Sequence, residues 1–216
     1  MILNGVPRET IILLLMLPIA ATIIAFARQI IGIKGFGIYT PLIISFAFLT
    51  TGLKYGLVFF AAIIITGTFM RHIVKHFRLL YLPRMAIVLT AVAVSMLVIF
   101  AIGGGSHRNG LINVSIFAIL IMITLVEKFV TAQIERGAKR AVILTIETLI
   151  LSITCFWVAS WMWLQNVVVI YPAWIILATI IINIFLGKWT GLRFSEYFRF
   201  IEVIKQIELP ERKKES

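Results

Sequence analysis

The sequence predicts an all-α membrane protein, a bundle of seven transmembrane helices followed by a C-terminal interfacial amphipathic helix. Composition is the first reason: of 216 residues 61% are hydrophobic and 13% charged, with mean hydropathy +1.07, far from a soluble domain. Second, the apolar residues gather in runs near the roughly 20 residues that a bilayer-spanning helix needs. Third, positive charge falls in alternate gaps between those runs. Seven passes with short loops consume the chain and leave no room for a separate soluble domain. The bundle is therefore placed at 1–190, and a cytoplasmic amphipathic helix with a short tail at 191–216.

The first span, Thr10–Ala27, ends in Ala25-Phe26-Ala27, which resembles a signal-peptidase site. Its apolar run exceeds a signal core, and cleavage would turn the later basic loops outward, so it is read as a helix that stays. The second, Ile38–Leu53, is short and follows the glycine-rich Gly32-Ile33-Lys34-Gly35-Phe36-Gly37. A re-entrant segment there would invert every later helix, so it is read as crossing. The third is Tyr55–Met70. Pro83 opens the fourth, Met85–Ile102. Gly103-Gly104-Gly105-Ser106 then reads as an outer loop, since no Lys-Ser/Thr helix start follows to make it a phosphate cradle. The fifth, Leu111–Val126, is separated by Gly137 from the sixth, Ala141–Trp163; the seventh is Val167–Gly187. Trp157, Trp161, Trp163, Tyr171 and Trp174 flank the last outer loop and read as an interfacial aromatic belt, with a substrate-stacking platform as the rival reading.

Charge sets the direction. Arg28 and Lys34 lie in the first loop; Arg71, Lys75, Arg78 and Arg84 in the third; Lys128, Arg136, Lys139 and Arg140 in the fifth. Lys188, Arg193, Arg199, Lys205, Arg212, Lys213 and Lys214 follow the last span, whereas the other side has only Arg8, Lys54 and Arg108. The expectation is a multi-pass protein of the cytoplasmic (inner) membrane, N-terminus outside and C-terminus cytoplasmic. The net charge of +11 belongs to these loops and not to nucleic-acid binding. Past Trp189, Phe194, Tyr197, Phe198, Ile201, Ile204 and Ile207 recur at helical spacing between charges. That fits a helix held on the cytoplasmic face by anionic lipids, or one that docks a soluble partner.

Few residues offer chemistry. Glu147 is the one acidic residue well inside a predicted span, about 10 Å along the helix from Arg140. A carboxylate there suggests proton coupling, a cation site or a ligand counter-ion; the plainer reading is a protonated group bonded to neighbouring helices. Asn183 reaches a similar depth from Lys188. Glu127 with Lys128, and Glu135 with Arg136, read as ion pairs at the bundle mouth. His72 and His76 have ligand spacing, but cations surround them and no third ligand offers itself; headgroup contact suits them better. His107 stands alone in an outer loop. Lone Cys155 excludes an intrachain disulfide or cysteine metal site. No metal or cofactor is expected. A retinal protein is excluded because Lys188 lies at a helix end and the chain has no Asp; proteolytic motifs are absent.

Three segments carry a resemblance. One runs from Ala27-Arg28-Gln29 through Gly32–Gly37 to Thr40-Pro41, with Ala47-Phe48 and Gly52-Leu53 beyond. The second is Glu127-Lys128-Phe129, Glu135-Arg136-Gly137 and Thr145-Ile146-Glu147-Thr148-Leu149. The third is Leu186-Gly187-Lys188-Trp189-Thr190-Gly191-Leu192-Arg193, ending in Glu196 and Arg199-Phe200. In order and spacing this resembles the bacterial seven-transmembrane domain usually fused to an inactive transglutaminase-like domain. The resemblance implies seven helices with the N-terminus outside and a non-catalytic membrane module, in systems associated with peptide modification alongside ATP-grasp-type ligases. No extracytoplasmic domain precedes Thr10 in this chain, so the partner domain is expected to be a separate polypeptide or dispensable.

The resulting expectation is a non-enzymatic module that binds a ligand or an extracytoplasmic or cytoplasmic partner protein. The alternative is a small-solute or ion transporter using Glu147, and an intramembrane enzyme ranks last. The candidate site is a charged cytoplasmic vestibule of Arg28, Lys34, Glu127, Glu135, Glu147 and Arg193, with Asn183 at the depth of Glu147.

Overall fold

A computed structural model describes residues 8–77, 80–104 and 116–188. Among the described residues the chain is helical, without strands. In order come α1 (Arg8–Phe26), a π-helical turn (Ala27–Ile31), α2 (Tyr39–Thr51), α3 (Leu53–Val74) and α4 (Tyr81–Gly104). After these come α5 (Ile116–Arg136), α6 (Ala138–Ala159), α7 (Met162–Ile170) and α8 (Pro172–Lys188). Four helical stretches are long and apolar enough to cross a membrane: Thr10–Ile31, Leu53–Val74, Tyr81–Ala101 and Ala138–Ala159. The bent pair α7–α8 makes a fifth if taken as one span. The protein is a multi-pass membrane protein.

The fold divides into two compact units, Met1–Lys34 with Asn166–Ser216, and Gly35–Gln165. In the second unit α3 packs on α4 and α5, while α2 packs on α6, α5 and α3. Phe48, Phe59, Ile63, Val88, Val92, Val126 and Phe129 fill the space between them. The outer faces are just as apolar, with Ile65, Phe69, Leu97, Ile146 and Ile150 exposed. Helices that are apolar on every side suit a lipid surround, not water. Two glycines in positive φ make one-residue connections: Gly52 (φ 77°) joins α2 to α3, and Gly137 (φ 83°) joins α5 to α6. Small residues also set helix approach, as expected where lipid tails compete with apolar contacts. A Cβ on Gly56 would collide with Cδ1 of buried Phe48 and lie 2.9 Å from Thr51 Oγ1; one on Gly67 would lie 2.9 Å from Val126 Cγ1.

In the first unit α1 and α8 pack together. Pro18 stands inside α1, and its carbonyl accepts the Thr22 hydroxyl at 2.7 Å. The helix ends in the π turn, where Gly32 (φ 90°) and Ile33 both donate to the Ala27 carbonyl, at 3.0 and 3.3 Å.

Several spans differ from the sequence expectation. The first helix runs four residues further, because the π turn carries the backbone ladder through Ala27–Ile31. The second is only 13 residues, about 20 Å. The third continues to Val74, and the fourth begins at Tyr81, so Pro83 sits in its first turn, where the missing N–H has no partner to lose. The fifth passes Val126 and ends at Arg136, placing Glu127 and Lys128 within a helix. The sixth stops at Ala159. The seventh is not straight: α7 and α8 meet at 104° around Tyr171-Pro172. Proline supplies no N–H and pushes the preceding residue out of helical geometry, so Pro172 starts a new helix. The outer loop with His107 and the amphipathic segment 191–216 lie outside the described residues.

Gly56→Ala should destabilise the protein by about 1–3 kcal/mol through overpacking against Phe48, read as a lowered midpoint in thermal circular dichroism. Gly187→Ala, where a Cβ within α8 meets nothing within 4 Å, should not lower that midpoint.

Candidate functional site

The polar centre of the second unit is built on α6. Ala141, Thr145, Thr148, Ser152, Cys155 and Ala159 recur every three or four residues and are all buried. They make a ridge of small side chains along one helix face. The hydroxyls of Thr145, Thr148 and Ser152 bond back to the carbonyls of Ala141, Leu144 and Thr148, at 2.7–2.8 Å. Each hydroxyl on the ridge thereby finds an acceptor within its own helix.

The glycine-rich turn before α2 docks against this ridge. Gly35 N–H donates to Glu147 Oε2 at 2.8 Å, and Phe36 N–H donates to Thr148 Oγ1 at 2.9 Å. Neither amide lies in a helix, so each needs an acceptor from elsewhere. Gly35 is buried with φ 43°, and a Cβ there would lie 3.2 Å from Thr148 Oγ1. The turn thus requires glycine both for its backbone and for its approach. On its far side the Thr40 hydroxyl donates to the Phe36 carbonyl at 2.8 Å, tying the turn to the start of α2.

Beside this clasp, α2 and α5 border an open groove of about 430 Å³. Phe36, Ile43, Ile44, Ile121 and Leu125 make its apolar wall. Tyr39, Thr40, Thr124 and Lys128 add polar atoms. Ile121, Thr124, Leu125 and Lys128 follow helical spacing and so share one face of α5. Glu127 is exposed and is not among the groove's lining residues.

A second polar junction joins α3 to α5. Arg71 Nη1 donates to Gln133 Oε1 at 2.8 Å, and Nη2 to the Gln133 carbonyl at 2.9 Å. That carbonyl is among the last four of α5, which lack partners within the helix. Gln133 Nε2 donates to Thr68 Oγ1 at 3.3 Å, and the Tyr81 and Thr131 hydroxyls meet at 2.9 Å between α4 and α5. Gln133 is almost fully buried. Its sequence signal is a neutral Gln three and four residues after Val130 and Phe129, on the apolar face of a helical run.

The vestibule expected from the sequence draws on residues of both units. Glu147 meets the Gly35–Phe36 turn as a hydrogen-bond acceptor. Glu127 and Glu135 are exposed on α5. Arg28, in the π turn, and Lys34 belong to the first unit, whereas Glu127, Glu135 and Glu147 belong to the second. Asn183, also in the first unit, donates from Nδ2 to Thr22 Oγ1 at 2.7 Å and to the Thr179 carbonyl at 2.8 Å. Arg193 lies outside the described residues. His76 Nδ1 sits 3.3 Å from the His72 carbonyl with both rings exposed. Among the described residues no three His, Cys, Asp or Glu side chains gather where a metal ion could be held.

A family described as seven transmembrane helices usually fused to an inactive transglutaminase matches residues 6–204, a stretch that contains the clasp, the groove and Asn183. No curated protein and no solved structure shows a significant match.

Glu147→Gln keeps an acceptor oxygen for Gly35 N–H and should fold with stability close to the parent. Glu147→Leu strands that buried amide and should cost about 1–3 kcal/mol. Thermal melts in nanodiscs, together with tryptic cleavage after Lys34, would separate the two. Equal stability and equal cleavage in both variants would contradict the clasp.

Proposed function

The chain belongs to this seven-transmembrane family usually fused to an inactive transglutaminase, and from that premise we propose that it works as a non-enzymatic membrane module that binds a ligand or a partner protein. The observation that carries this reading is the groove between α2 and α5, a concave apolar site with polar atoms along part of its wall. Its volume falls in the range of about 300–1,000 Å³ typical of small-molecule sites. The adjoining clasp anchors the turn that leads into α2, which favours a preformed site.

In this reading seven helices cross the cytoplasmic membrane: α1 to α6 and α8. At nine residues α7 is too short to span and lies along the outer interface, where the exposed Trp161, Trp163, Tyr171 and Trp174 suit a headgroup belt. The excess of Lys and Arg in alternate loops puts the N-terminus outside and the C-terminus in the cytoplasm. A partner protein has either face available, and anionic lipid is the natural neighbour of the basic cytoplasmic loops.

Transport through Glu147 has less support. A coupling carboxylate must exchange partners as it gains and loses its load, and Glu147 already holds a backbone amide in place.

Native mass spectrometry of protein gently extracted from its own membrane tests the proposal. One defined molecule or protein retained at fixed stoichiometry is the expected result. Heterogeneous bulk lipid alone, with solute flux in vesicles that Glu147→Gln removes, would replace the module by a transporter.

A further inference from the structure

We propose that the groove between α2 and α5 seats one acyl chain of an anionic phospholipid, with Lys128 taking its phosphate. The inference rests on the binding-module reading and names its ligand. Ile43, Ile44, Ile121 and Leu125 form the apolar stretch. Lys128 stands on the same face of α5, two turns or about 10 Å from Ile121. A lipid has this same arrangement, an apolar chain leading to a charged head.

Charge and position choose the lipid class. Lys128 lies nearer the end of α5 that leads to Arg136, Lys139 and Arg140. In the proposed orientation that end faces the cytoplasmic leaflet, where anionic lipids concentrate and attract basic side chains. The Tyr39 ring is 78% exposed at the groove, and its hydroxyl offers the phosphate a second donor. Glu127 projects from α5 beside Lys128 but does not line the groove, so the phosphate meets a cation without an opposing carboxylate in the site. A lysine suits this partner, since its stem packs on apolar surface while its head stays at the polar boundary.

Size argues against a helix from a second copy. A helix about 10–12 Å across would need roughly twice the groove's 430 Å³ for each two turns. An acyl chain is thin enough to lie along it. The opening also faces outward: Ile43 is 41% exposed, so a lipid reaches the site from the bilayer without any helix moving.

The test uses the full chain in detergent, titrated with phosphatidylglycerol or phosphatidylcholine of equal chain length and read by native mass spectrometry. Parent protein should retain one phosphatidylglycerol in preference to phosphatidylcholine. Lys128→Gln should weaken that binding about ten-fold while leaving phosphatidylcholine unaffected. Ile43→Trp, which fills the groove from an exposed position, should weaken both lipids. Lys139→Gln, the loss of an exposed cation elsewhere, should change neither. Equal retention of the two lipids would overturn the proposal. So would an equal loss in Lys139→Gln, displacement by inorganic phosphate alone, or a dimer that Ile43→Trp dissolves. If lipid preference is absent but a protein or another molecule is retained, the lipid inference falls and the module reading stands.

Discussion

Two backbone amides, those of Gly35 and Phe36, govern how the second unit is built. A buried N–H outside a helix has no water to bond, and leaving it bare costs about 1–3 kcal/mol. Glu147 and Thr148 supply the acceptors from α6. This fixes where the glycine-rich turn sits and where α2 begins. The small residues of the α6 ridge allow the turn to come close, and glycine at position 35 tolerates the left-handed backbone that the approach requires. From that anchor α2 runs against α5 and α6, and the groove is bounded by its exposed edge.

Much of the architecture was legible in hydropathy and punctuation. Apolar runs located the described helices other than α7, Gly137 marked the junction of α5 with α6, and the three quoted segments identified the family. The break at Pro172 was equally legible but was overridden by an apolar run that continues through it; proline's backbone chemistry outweighs hydropathy there. Glu127 and Lys128 were read as the end of a span because charge marks the edge of hydrocarbon. Charge does not stop a helix, however, and α5 continues two further turns to Arg136.

The site was less legible for a different reason. Glu147 was singled out by its depth, yet it accepts from a backbone amide 112 positions away in sequence, and backbone amides leave no side-chain signature. Gln133 is neutral, so a count of charges passes over it, although its carbonyl and amide tie α3 to α5 through Arg71 and Thr68. Asn183 likewise finds its partner in Thr22 on α1. These polar side chains each make hydrogen bonds that position helices. The wall of the groove differs in kind: it presents apolar surface and a cation toward whatever enters. That contrast is why binding, and not proton or solute coupling at Glu147, is the reading favoured above.

The claim on which all of this depends is that Glu147 and Thr148 hold the Gly35–Phe36 turn. Residue-resolved amide hydrogen exchange in lipid nanodiscs measures it most directly. The account predicts that the Gly35 and Phe36 amides exchange as slowly as amides within α2, although neither lies in a helix. Exchange of both at the rate of an open, hydrated loop would contradict it.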